Sequence, residues 1–363
     1  HGHIRLNDSD MGVASRFPIG TFQRDHDMTF NRRQILAGGS ALALGGFALV
    51  PRGATTQDAI PATAVASGAW SFTDDKGVTV TLPARPERLA IDVNAAAPLW
   101  DYGIRPAALF GWNVNPDGSL ADAGGNIDVS TVELVGNTTE PIQVEALTAV
   151  DPDLVITVAF TDDPTEYWSI DTDALGQVGQ RYPILALSVG SPADVGLGRF
   201  AELATALGAD LAAPEQVEAK GTYEAKLAEV AAAVAAKPDL TFLFGYLASS
   251  ELYLASAPDW SDLLFYQSLG LRIPPVGAEP GGYWAPISNE ELGAYPADVL
   301  FQSTRPGNLS PAELMADPVF GLHPAVAAGQ VFGWNQDVIL SYQGMTIALD
   351  TVLRAVEASS KVT

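Results

Sequence analysis

Apolar and polar positions change rhythm along the chain, and those changes divide it. Trp70-Ser71-Phe72-Thr73 and Val78-Thr79-Val80-Thr81-Leu82 alternate around Asp74-Asp75-Lys76-Gly77, which predicts an opening β-hairpin whose acidic pair is turn chemistry. Short apolar runs follow at Arg88 to Val93, Ala107 to Trp112, Val132 to Val135, Leu154 to Val158 and Ile184 to Leu187, with a helical stretch from Ala95 to Tyr102 closed by Gly103. Strands alternating with helices predict parallel α/β units. From Gly198 to Lys237 the pattern is helical only: Arg199 to Leu207, a stop at Gly208, then a longer helix started by Pro214 and running through Tyr223, Leu227 and Val230. Alternation resumes with Leu240 to Phe244, Leu252 to Ala255, Ser261 to Leu269, Val299 to Ser303 and Val331 to Phe332, and ends in a helix from Tyr342 to Ala358. The expected layout is a leader at 1–66, an N-terminal lobe at 67–197, a helical connector at 198–237 and a C-terminal lobe at 238–363. Ligands of open α/β sheets bind beyond the carboxyl ends of the strands, so the site is expected in the cleft between the lobes.

One stretch nearly recurs. Pro141 to Ile156, PIQVEALTAVDPDLVI, matches Pro286 to Phe301, PISNEELGAYPADVLF, at six of sixteen offsets. Each copy reads as a Pro-led turn, a short helix opened by Glu, a Pro-containing break and a buried strand, which implies two similar lobes.

Composition narrows the chemistry. The 363 residues, 47% hydrophobic, are enough for two cored domains. The first 66 residues carry six Arg against five Asp, whereas the rest has 13 Lys+Arg against 38 Asp+Glu, a balance of −25. A body that acidic repels phosphate backbones and anionic membranes, so nucleic acid is excluded as a partner. Cysteine is absent, which excludes disulfides, thiolate metal sites, Cys nucleophiles and a lipoprotein anchor. Only His323 lies outside the leader, which leaves no imidazole set for a bare zinc or copper ion.

Thr29-Phe30-Asn31-Arg32-Arg33-Gln34-Ile35-Leu36 is a twin-arginine pattern, followed by the mildly apolar run Ala37 to Val50 and small-residue sites at Ala62-Thr63-Ala64 and Ala64-Val65-Ala66. The expectation is a signal peptide over 28–66, cleaved near residue 66 after export by the route that carries folded proteins. Met28 precedes the signal, so residues 1–27 are expected to lie upstream of it.

Four further stretches carry a family resemblance. They are Leu82-Pro83-Ala84-Arg85-Pro86-Glu87-Arg88-Leu89-Ala90; Val135-Gly136-Asn137-Thr138-Thr139-Glu140-Pro141 leading into Pro152-Asp153-Leu154-Val155-Ile156; Ile287-Ser288-Asn289-Glu290-Glu291-Leu292; and Ala325-Val326-Ala327-Ala328-Gly329-Gln330-Val331-Phe332. In this order, behind an export signal, the body resembles the periplasmic substrate-binding proteins of iron-chelate ABC importers, which capture ferric siderophores and, in relatives, haem or cobalamin. The resemblance implies α/β architecture with two Rossmann-like lobes joined by a rigid helix. It also implies a monomer that delivers its chelate to a permease in the inner membrane, with one Glu per lobe docking on permease arginines. The matching positions are Glu290 and either Glu145 or Glu140, a choice left open because Pro141 and Glu145 are one residue further apart than is usual in the family.

A ferric siderophore brings its iron wrapped in oxygen ligands, so no protein metal site or cofactor is expected. Apolar and aromatic walls with a few fixed polar groups suffice. The chain places such residues at strand ends: Trp112-Asn113, Phe160-Thr161, Tyr246, Tyr283-Trp284, Arg305 and Trp334-Asn335. Arg305, one of eight Arg in the body, follows a buried strand, where its guanidinium can meet a ligand oxygen. Trp334 and Trp284 suit a cationic chelate, at roughly 0.5–2 kcal/mol per contact. One such Arg in an acidic protein favours a neutral or cationic hydroxamate over a tri-anionic catecholate.

Haem is the nearest alternative, with Tyr246 or Tyr283 as axial ligand because His323 is remote in sequence from the aromatic loops; cobalamin or a metal-free ligand are others. Catalysis is not expected. The chain lacks a nucleophile elbow, a phosphate loop and a Cys or His dyad; Gly196-Leu197-Gly198-Arg199 lacks the third glycine of a dinucleotide fingerprint; and Asp162-Asp163 and Glu290-Glu291 are adjacent pairs that point apart.

Overall fold

The computed structural model describes residues 68–363 apart from positions 162 and 250, so the leader and its twin-arginine pattern lie outside the described residues. Trp70–Thr73 (β1) and Thr79–Leu82 (β2) pair antiparallel as the expected hairpin. Its acidic pair closes the turn and caps a sheet edge. Asp74 Oδ1 accepts the Lys76 and Val78 N–H groups at 3.0 and 2.8 Å, and Asp75 Oδ2 accepts Ser188 N–H at 2.8 Å.

Leu89–Asp92 (β3), Ala108–Phe110 (β4), Glu133–Leu134 (β5), Leu154–Ala159 (β6) and Ile184–Ser188 (β7) form a wholly parallel sheet in the order β5-β4-β3-β6-β7. β3 and β6 are buried along their whole length, as central strands covered on both faces require. Val93–Asp101 (α1), Val144–Val150 (α2) and Thr172–Val178 (α3) connect these strands. Two helices follow, Ala193–Ala206 (α4) and Pro214–Ala236 (α5). α4 begins ahead of the expected Arg199, with Pro192 at its N-cap and Asp194 in its first turn.

The second sheet comprises Phe242–Leu247 (β8), Leu252–Ala255 (β9), Trp284–Ile287 (β10), Val299–Ser303 (β11) and Val331–Trp334 (β12), in the order β10-β9-β8-β11-β12. Only β9 runs against its neighbours. Its helices are Ser261–Ser268 (α6), Pro311–Ala316 (α7), Pro324–Ala327 (α8) and Tyr342–Ala358 (α9). Counted from each lobe's first strand, both sheets have one order, with the second strand reversed in the C-terminal lobe. The duplicated stretches lead into β6 and β11, which hold the same place in their sheets.

The second copy departs from its expected form. Pro286 lies inside β10 rather than in a turn, tolerated because β10 is an edge strand where a missing N–H breaks no ladder, and its Glu-led helix is a 3-10 turn, Glu291–Ala294.

α5, about 35 Å long, ties the sheets together. Near its start Gln216 Nε2 donates to the Asp101 carbonyl at 2.8 Å, and just past its end Lys237 Nζ donates to the carbonyls of Val356, Glu357 and Ser359, each at 2.8 Å. Tyr102 of the N-terminal lobe and Tyr223 of α5 both pack against Tyr342 of α9. No described helix is long and apolar enough to cross a membrane.

Candidate functional site

In each sheet the strand order reverses next to the first strand, so connections leave its carboxyl end in opposite directions and open a crevice there. Asp92 sits at that point in the N-terminal lobe, ending β3 and capping α1. Its Oδ1 accepts Asn94 N–H at 2.9 Å and its Oδ2 accepts the Ser169 hydroxyl at 2.6 Å. Gly111, at φ +129°, presses on it: a Cβ there would lie 2.3 Å from Asp92 Oδ2, so only glycine fits. The next residues are Trp112, half-buried with its backbone N–H 3.4 Å from Ser169 Oγ, and Asn113, buried with Nδ2 donating to Asn94 Oδ1 at 2.7 Å. Burial pushes the Asp92 carboxyl up to about 7 despite its hydrogen bonds to Ser169 and Asn94, and Asp337 adds to the rise.

An aromatic wall runs from one lobe to the other. Tyr283 adopts the left-handed region at φ 57°, uncommon for a bulky residue, and its hydroxyl donates across the lobes to the Phe160 carbonyl at 3.3 Å. The two rings lie 5.8 Å apart edge to face, and Phe160 meets Trp168 at 4.8 Å. On the other side Trp260 touches Tyr283, Trp284 and Trp334 at 5.4, 4.9 and 5.2 Å, and Trp284 meets Tyr246 at 6.4 Å. Such edge-to-face contacts hold rings in fixed orientations. Phe160, Tyr246, Tyr283 and Trp284 are half-buried and make the wall's open surface. Trp334 is buried behind them, 4% exposed, its Nε1 donating to Asp262 Oδ2 at 2.7 Å. Asp262, in the first turn of α6, is 1% exposed, and its Oδ1 has no partner among the described residues. Burial pushes its carboxyl up to about 7, again with a contribution from Asp337. Burial also pushes the Tyr283 phenol up to about 12, with Asp259 adding to the rise, so it stays a donor.

The polar group at the wall is Arg305, just beyond β11. Asp337 grips it with both carboxylate oxygens, at Nε (2.7 Å) and at Nη2. In the orientation that satisfies both its ends, the Gln336 amide donates to Ser303 Oγ at 2.6 Å and accepts from Arg305 Nη1 at 3.0 Å. The neighbouring Thr304 hydroxyl donates to Asp122 Oδ2 of the N-terminal lobe at 2.8 Å. Asn335 is exposed and lines a cavity of about 350 Å³ together with Asp122, Thr304, Thr351 and Arg354. Among the described residues no group of three or more His, Cys, Asp or Glu could hold a metal ion.

Phe160, Tyr246, Tyr283, Trp284 and Trp334 thus belong to one cluster, and Arg305 lies close enough to Tyr246 for the two to interact electrostatically. Glu140, Glu145 and Glu290 are exposed, and Glu145 stands in the first turn of α2. His323 is buried with Nε2 3.1 Å from the Tyr295 carbonyl. Sequence reading missed Trp168, Trp260 and Asp92. Signals were present for two of them: Trp260 directly precedes a helix, and Asp92 closes an apolar run before a helical pattern, the mark of an N-cap, whereas Trp168 lies in the loop between β6 and α3.

A family model described as periplasmic binding protein matches residues 112–338. Among solved structures, a ferric-siderophore receptor protein, DesE, from Streptomyces coelicolor is 31% identical, with a TM-score of 0.75 over 81% of this chain and 100% of that one. The siderophore periplasmic binding protein of the fuscachelin gene cluster of Thermobifida fusca is 22% identical, with a TM-score of 0.55 over 76% of this chain and 98% of its own. The iron uptake ABC transporter substrate-binding protein PiuA of Streptococcus pneumoniae is 19% identical, with a TM-score of 0.60 over 79% of this chain and 98% of its own. Those two likenesses speak for the fold. Comparison with curated proteins finds no match.

The buried acids make stability depend on pH. Unfolded, Asp92 and Asp262 ionise near 3.8; folded, they hold their protons up to about 7. Between those values the folded state binds protons that the unfolded state has released, so stability falls as pH rises through the window. Urea unfolding is expected to show lower stability at about pH 8 than at about pH 5, with Asp92→Asn and Asp262→Asn each flattening the slope by about 1–3 kcal/mol. Identical slopes in the wild type and both variants would contradict this.

Proposed function

The chain belongs to the periplasmic binding protein family, and on that premise we propose that it captures a ferric siderophore outside the cytoplasm and passes it to an ABC importer. The observation that carries this reading is the half-buried aromatic wall to which both lobes contribute, Phe160 from one and Tyr246, Tyr283 and Trp284 from the other, with Arg305 beside Tyr246. A chelate whose iron is already enclosed in oxygen donors needs such a surface and no protein ligand to the metal. Similarity to a ferric-siderophore receptor supports the same reading. An acidic body with one Arg at the wall suits a neutral or cationic hydroxamate better than a tri-anionic catecholate. Binding, not catalysis, is the proposed role: Asp92 caps α1 and accepts from Ser169, and Asp262, in the first turn of α6, accepts from Trp334, an arrangement that organises the walls. The chain is proposed to act as a monomer, exported by the twin-arginine route without a lipid anchor.

Tryptophan fluorescence titration against ferric trihydroxamates, ferric tricatecholates, haem and cobalamin tests the ligand. A ferric trihydroxamate is expected to quench at micromolar concentration or below. Quenching by none of the four while the protein is folded would sink the proposal, and a Soret shift on adding haem would replace the siderophore with haem.

Delivery is proposed to use Glu290 and one of Glu145 and Glu140, exposed carboxylates that precede β11 and β6 at related places in the two lobes. Glu145→Lys and Glu290→Lys are each expected to spare chelate affinity and impair uptake in cells that depend on the transporter. Normal uptake with either variant would remove that residue from the docking surface.

A further inference from the structure

Arg305 is the cation a ligand oxygen would meet at the wall, yet its charge is already engaged. Asp337 takes Nε and Nη2, and Gln336 takes one N–H of Nη1. This side-on grip leaves outward N–H groups on the two terminal nitrogens, for which no other partner is recorded among the described residues. The layering is ordered, since the Asp337 side chain is 6% exposed and that of Arg305 is 41% exposed. The acid lies behind and the guanidinium in front. Asp122, which accepts from Thr304 next door, also acts on Arg305 by its charge. One positive charge therefore sits between two carboxylates, and the site offers directional donors without surplus positive charge.

We propose that the carboxylates flanking Arg305, Asp337 above all, determine the charge class of chelate the cleft accepts, admitting neutral or cationic ferric complexes and turning away polyanionic ones. The inference rests on the siderophore reading above and deepens it. A neutral complex gains hydrogen bonds from the outward N–H groups to its oxygens, whereas a tri-anionic one gains no net Coulomb attraction from the pair and meets Asp122 at the rim. Asp337 is on this account a positioning residue: it acts through Arg305, orienting the fork and cancelling its charge.

The test uses the purified protein and two probes, a formally neutral ferric trihydroxamate and a tri-anionic ferric tricatecholate, with affinities read by tryptophan quenching and folding checked by near-ultraviolet circular dichroism. The wild type is expected to prefer the neutral complex by about tenfold or more, Asp337→Asn to narrow that ratio by about tenfold, and Asp337→Glu to restore most of it. Asp122→Asn, at an exposed position, is expected to move the ratio the same way by about threefold, and it carries the test if Asp337→Asn does not fold. A wild-type preference for the tri-anion overturns the proposal, as does a ratio unmoved in the folded variants while the neutral complex still binds. Failure of the wild type to bind either probe overturns the siderophore reading and this inference together, an outcome distinct from an unmoved ratio.

Discussion

The gap between the two sheets is held by one helix with an anchor in each lobe. α5 is joined through Gln216 to the carbonyl that ends α1 and through Lys237 to the last carbonyls of α9. All three donors of the Lys237 ammonium are engaged, and the cation meets the negative end of the α9 dipole. Tyr102, Tyr223 and Tyr342 fill the space between. A helix anchored at both ends favours a binding surface ordered in advance over one assembled on contact.

The aromatic wall uses that order. Its rings meet edge to face and Trp334 stands on a buried polar anchor, Asp262; across the strand ends Asp92 plays the like part, holding Ser169, which in turn faces the Trp112 backbone N–H. Each anchor is an acid at a helix start and nearly free of solvent, and each carries a raised pKa because burial outweighs its hydrogen bonds. Asp337 adds to both rises while cancelling Arg305, so the charges of the two lobes meet at one residue. Apolar surface, few polar groups and little net positive charge are the properties of the cleft that follow.

Much of this was legible in the chain. Solid apolar runs separated by helical patterns identify parallel strands, and the strand-free span after Gly198 identifies the paired helices, because both signals are local. The match between Pro141–Ile156 and Pro286–Phe301 implied two similar lobes, and it lies where each lobe enters the strand beside its first; the common strand order itself came only with the structure. Contacts distant in sequence were not legible. Pro286 entered a strand because β9 lay alongside, and Trp334 turned inward because Asp262, 72 positions away, could accept its N–H. The Arg305–Asp337 pair spans 32 positions and leaves no periodic trace. Aromatics at element ends could be enumerated from sequence, but which of them face outward depended on neighbours brought by the other lobe.

The most direct measurement is a crystal structure of the protein with a ferric trihydroxamate bound. The chelate is expected against the surface formed by Phe160, Tyr283 and Trp284, its oxygens on the outward N–H groups of Arg305, the Asp337 pair intact, the iron held by the chelate alone and α5 unmoved between the lobes. A chelate seated in the cavity beside Arg354, or iron bound directly by protein carboxylates, would contradict this.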